Sequence, residues 1–172
     1  MNLREFAQAV TAALIKLSKK SRRSLLESSA FKISNLENEP WLEWLLKYEG
    51  EPEFTGDEPS PFVRECFKHT NYGDLDDTTP PSCAATLCAA LELSGYSSPH
   101  SAAAFSFINY GSPCHLTRGT ICVFLWPSDV HHVAVCLDPD RKIFIGGNQG
   151  HYLKRRKLNT RYLLATRWPL KF

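Results

Sequence analysis

The chain has no CxxC pair, no long apolar run and almost no net charge, and each absence removes a class of protein. Its six cysteines stand at positions 66, 83, 88, 114, 122 and 136, spacings that match no small disulfide scaffold. No group of Cys or His residues has the tight ligand spacing of a structural zinc site. No segment approaches the roughly 20 apolar residues that span a bilayer. The formal net charge of +2 is too small to point to nucleic acid. The two basic runs, Lys19-Lys20-Ser21-Arg22-Arg23 and Lys154-Arg155-Arg156-Lys157, read as solvated faces. Internal repeats and low-complexity tracts are also missing.

A secretory leader is not recognisable either. Leu3, Phe6, Ala7, Val10, Ala13, Leu14 and Leu17 recur at helical spacing, with Arg4, Glu5, Gln8 and Lys16 between them. That pattern is an amphipathic helix rather than an unbroken apolar core, and no small-x-small cleavage site follows. The expectation is a protein made in the cytoplasm without a signal peptide. If it acts elsewhere, something else carries it there.

What is present suits an ordinary globular fold. The chain has 172 residues, 43% hydrophobic and 12% aromatic, enough for one domain with a core and a short appendage. Residues 1–39 read as an amino-terminal helical appendage and residues 40–172 as the main domain. Trp41 to Tyr48 carries a short helix that stops at Gly50. Residues 51 to 60, with two prolines and a glycine, read as a loop. A second helix is expected over Phe62 to His69, irregular chain over Asn71 to Pro81, a helix from Cys83 towards Gly95, and a short helix from Ser101 to Tyr110. The period then changes. Ile121 to Leu125, His132 to Leu137, Lys142 to Ile145 and a segment from Tyr162 to Arg167 have strand composition, with turn signals at Pro127-Ser128-Asp129 and Asp138-Pro139-Asp140. Helices first and an antiparallel meander afterwards make an α+β domain, with the sheet packed on the helix that begins at Cys83.

Cys83 carries most of the functional information. Pro80 and Pro81 precede a small, apolar helix that they cannot enter, so Cys83 falls in its first turn. There, free backbone N–H groups and the helix dipole favour a thiolate. His132 lies 49 residues further on and Asn148 another 16, which lets a helix-borne thiol meet an imidazole and an amide on neighbouring strands. The imidazole takes the thiol proton, the amide orients the ring, and the backbone N–H of Cys83 contributes to an oxyanion hole. Because adjacent strand residues face opposite ways, only one of His131 and His132 can reach Cys83. The small neighbours Ala134 and Cys136, on the His132 face, favour His132 by leaving room for the helix.

From Pro40-Trp41 to Trp168-Pro169 the chain resembles small bacterial and phage cell-wall hydrolases of the papain-like CHAP and NlpC type. The stretches that carry the resemblance are Pro40-Trp41-Leu42-Glu43-Trp44, Glu53-Phe54-Thr55-Gly56, Cys83-Ala84-Ala85, Ser101-Ala102-Ala103-Ala104, His132-Val133, Gly146-Gly147-Asn148-Gln149 and Arg167-Trp168-Pro169. The resemblance implies a papain-like cysteine hydrolase that cuts an amide bond in the peptide part of peptidoglycan. Cys83 would be the nucleophile, His132 the base and Asn148 the orienting residue, with Ser82, His131 and Gln149 on the substrate side. No cofactor and no metal are implied. Two departures stand out: Ser82 replaces the tryptophan usual before the cysteine, and His131 replaces the glycine usual before the histidine.

Two settings fit such an enzyme, a phage lysin or an antibacterial effector acting in the periplasm or wall of a target bacterium. The effector setting implies a secretion apparatus and a cognate immunity protein. The absence of a wall-binding repeat and the extra amino-terminal helix favour it. Two rivals stand beside it: a deamidase or transglutaminase-like toxin using the same Cys-His-Asn set on a protein glutamine, and a non-catalytic wall-binding module, which the departures at Ser82 and His131 support.

Overall fold

Proline and serine begin the helices of this domain, glycines end several of its elements, and strand pairing does the rest. The computed structural model describes residues 39–74 and 81–172. The helix expected over residues 3–17, the appendage and the end of the Asn71–Pro81 segment lie outside the described residues. Helix α1, Pro40–Lys47, has proline at its first position and Glu43 and Lys47 at the ends that suit the helix dipole. Trp41, Leu42 and Leu45 form its buried stripe. Its tail is broken by Gly50, whose φ of +105° is open to glycine but costly for other residues.

The proline-rich loop that follows is more ordered than its composition suggests. Strands β1, Phe54–Thr55, and β2, Glu58–Pro59, pair as a small antiparallel hairpin. Helix α2, Pro61–Phe67, starts on Ser60, whose Oγ accepts the Val63 N–H at 3.2 Å and donates to the Pro52 carbonyl at 2.6 Å. Helix α3, Cys83–Glu92, is buried from Cys83 through Leu91, as expected of a helix that is small and apolar on every side. A 3-10 helix, Ala104–Asn109, takes the place of the expected short α-helix and leads to Gly111 at φ +60°.

The sheet has six antiparallel strands: β3 (Ser112–Pro113), β4 (Ile121–Leu125), β5 (His131–Asp138), β6 (Ile143–Gly146), β7 (Lys154–Lys157) and β8 (Leu163–Trp168), in the spatial order β3-β8-β4-β5-β6-β7. It is a meander only from β4 to β7, because β8 returns to lie beside β4. Two strands were not legible in the sequence. One is the two-residue β3, and the other is β7, the basic run read as a solvated face. One face of the sheet, with Ile121, Val123, Val133, Val135 and Ile145, packs with Cys83, Ala84, Leu87 and Leu91 of α3 and Trp41 of α1. The other face carries Cys122, Phe124, Ala134, Cys136 and Phe144. None of the six cysteines forms a disulfide. Among the described residues no helix is long and apolar enough to cross a membrane. The architecture is α+β, with the antiparallel sheet packed on the helix that carries Cys83.

Candidate active site

Cys83 enters the core where the β5–β6 ladder ends. Beyond the Val135–Ile145 pair, β6 runs out into Gly146-Gly147, and the first turn of α3 fills the space beside it. A side chain at Gly147 would meet the Thr86 hydroxyl at 2.5 Å and the Ser82 carbonyl at 3.1 Å. This close approach is why glycine is needed there. The Cys83 thiol is 4% exposed, and burial pushes its pKa up, opposed by backbone hydrogen bonds from Val133, Ala84 and Cys83 itself. The carboxylate of Glu53 raises it further. The resting group is therefore a thiol, not the thiolate expected from the helix start alone. Desolvation outweighs the dipole here because Cys83 is almost wholly buried.

His132 directly precedes Val133, whose backbone acts on that sulfur. Its ring, however, lies on the other face of the sheet. It is paired across the strands with Phe124 and its ring centroid lies 6.4 Å from both Phe124 and Trp126. Burial, with a smaller contribution from the Arg156 charge, lowers its pKa to about 4. Its Nε2 is buried and has no hydrogen-bond partner among the described residues. The predicted alternation of β5 is present, but the predicted reason for choosing His132 is not: α3 covers the Val133 and Val135 face rather than the Ala134 and Cys136 face. Branched side chains fill the gap between helix and sheet better than small ones, and the helix supplies the small residues at this contact. His131 shares the face that α3 covers, yet its ring sits edge-on against Phe105 at 6.1 Å.

Asn148 has a φ of +52°, a left-handed conformation that asparagine tolerates in turns. No hydrogen bond links the Cys83, His132 and Asn148 side chains to one another among the described residues. Ser82 and Gln149, expected on the substrate side, are each 2% exposed. The Gln149 amide donates to the Lys154 carbonyl at 3.0 Å, while its Oε1 is buried without a partner. Both residues thus belong to the interior rather than to an open cleft.

Glu53 and His151 are the functional candidates that sequence reasoning missed. Glu53, 3% exposed, accepts the Ser82 N–H on Oε1 at 3.1 Å and holds His151 Nδ1 on Oε2 at 3.1 Å. The carboxylate thus stands at the start of α3, where the dipole stabilises an anion, and one residue from the thiol. The isolated bridge between Pro52 and Tyr152, together with the Glu53 N–H to His151 carbonyl bond at 2.8 Å, joins the two segments. The available signal was that Glu53 opens one of the stretches carrying the family resemblance, although it lies in a proline-rich loop. Comparison with protein-family models, with curated proteins and with solved structures finds no match for this chain.

Proposed function

We propose that the protein is a papain-like cysteine hydrolase that cuts an amide bond in the peptide part of peptidoglycan, acting in the wall or periplasm of a target bacterium. The observation that carries the reading is a buried thiol placed in the first turn of α3, where backbone N–H groups have no acceptor within the helix. Such donors serve a sulfur anion and the oxyanion that forms beside it. The stretches that resemble cell-wall hydrolases point the same chemistry at peptidoglycan.

In this reading Cys83 is a neutral thiol at rest. The Cys83 sulfur attacks the amide carbonyl, forming the S–C bond of a tetrahedral adduct. Collapse of the adduct breaks the C–N bond, and the thiol proton ends on the leaving amine. Water then hydrolyses the thioester, freeing the carboxylate and restoring the thiol. His132, which adjoins Val133 in the chain, has its ring on the opposite face of the sheet among Phe124 and Trp126 and is not assigned the thiol proton. The setting follows as an antibacterial effector with an immunity protein, or a phage lysin.

One observation favours the non-catalytic alternative: the thiol is held protonated and has no imidazole hydrogen-bonded to it. Digestion of purified sacculi, with fragments identified by mass spectrometry, separates the readings. New free amines with intact glycan, lost in Cys83→Ala, are the expected result. Sacculi that are bound but never cut would overturn the hydrolase reading. Ammonia released from a protein substrate, with sacculi untouched, would move the same residues to a deamidase.

A further inference from the structure

A cleft of about 420 Å³ opens beside the Cys83 site, lined by Pro52, Phe54, Gly56, Asp57, His151 and Tyr152. Cys83 does not line it. Glu53 joins the two, because one oxygen holds the Ser82 N–H and the other holds His151 Nδ1. That second contact fixes what the cleft can recognise. A carboxylate accepts, so the neutral imidazole carries its proton on Nδ1 and its Nε2 is left as a lone-pair acceptor. The His151 side chain is 72% exposed, which leaves that acceptor open to a ligand.

The rest of the lining has the same character. Asp57 is exposed and pairs with no cation among the described residues. Phe54 and Tyr152 are both exposed aromatics, and the Phe54 ring stands edge-on to His151 at 5.7 Å. Aromatic faces attract cations. The Tyr152 ring already carries the Lys154 ammonium at 5.3 Å, so Phe54 and Asp57 are the side of the cleft left to a ligand. A carboxylate, an imidazole lone pair and an aromatic ring together suit a donor-rich cation.

We propose that this cleft is a subsite for a primary ammonium group carried by the substrate, with Asp57 as its counter-ion, Phe54 as its aromatic wall and His151 Nε2 as its acceptor. The ammonium chemistry stands on the cleft alone; its assignment to a substrate rests on the hydrolase reading. Glu53 is a positioning residue here, since it sets the His151 tautomer without touching the ligand.

The test uses the full-length protein labelled with ¹⁵N-histidine at pH 8, with two probes: Nα-acetyl-lysine amide and its Nα,Nε-diacetyl counterpart. The ammonium probe is expected to shift the His151 ring nitrogens saturably. The acetylated probe should bind at least about tenfold more weakly, and Asp57→Asn should reduce the first probe to the level of the second. Phe54→Ala, on the same exposed hairpin, should weaken the ammonium probe alone. Equal affinity for both probes, or no change in Asp57→Asn, would overturn the subsite. Sacculi are digested in parallel. If the probes discriminate but sacculi are never cut, the ammonium site stands and the hydrolase reading falls. If sacculi are cut but the probes do not discriminate, the reverse holds.

Discussion

Acidification should weaken the fold through His132, over a pH window set by its displaced pKa. In the folded protein the pKa is lowered to about 4, first by burial and then by the Arg156 charge, whereas an unfolded chain exposes an ordinary histidine near 6.5. Above pH 6.5 both states are neutral and His132 contributes no pH dependence. As the pH falls from 6.5 towards 4, the unfolded chain takes up a proton that the folded protein refuses, so stability drops. The difference of about 2.5 units corresponds to roughly 3 kcal/mol in total, with a slope of at most about 1.4 kcal/mol per pH unit. That is a large part of the stability of a typical domain. Urea unfolding followed by tryptophan fluorescence is the assay, since Trp126 lies nearly parallel to the His132 ring at 6.4 Å. Carboxylates titrate in the same range, so the quantity to measure is wild type minus His132→Phe. The two curves should diverge as pH falls from 6.5 to 4.5, with wild type losing the more. Parallel curves over that window would show that His132 is not held neutral by the fold, and the reasoning from burial would fail.

Cys83→Ala should abolish peptidoglycan cleavage without unfolding the protein, which circular dichroism and a sacculus digest check together. In the native protein iodoacetamide should label Cys114 first, the one cysteine that is only half-buried, and Cys83 more slowly because its thiol is held protonated; peptide mapping of the first-labelled site decides this. Glu53→Gln keeps an acceptor for the Ser82 N–H but removes the charge that raises the Cys83 pKa, so thiolate absorbance near 240 nm should appear at lower pH than in wild type. Gly147→Ala places a methyl 2.5 Å from the Thr86 hydroxyl and should cost about 1–3 kcal/mol by overpacking, read as a lower Tm; an unchanged Tm would mean that α3 can move away from the β6 end.

Local chemistry was enough to read much of this chain. The helix over Trp41 to Tyr48, the helix starting at Cys83 and the four main strands follow from side-chain period and from Pro, Ser and Gly at their ends, because capping and backbone freedom are properties of a few adjacent residues. The alternation of His131 and His132 follows as well, since the pleat has a period of two. Which of the two faces a helix covers does not follow, because a two-residue period defines two faces and leaves them equivalent until something packs. Tertiary structure chose the valine face and left the His132 ring among Phe124 and Trp126. It also made a strand of Lys154 to Lys157, whose composition argues for solvent, because an edge strand needs only one neighbour and can leave its charges exposed. The return of β8 to β4, and the approach of Glu53 to Ser82 and of His151 to Glu53, were decided in the same way. Glu53 and Ser82 are 29 residues apart in the chain and Glu53 and His151 are 98 apart. Contacts at such separations are selected by burial and by hydrogen bonding across the whole domain, which no local pattern encodes.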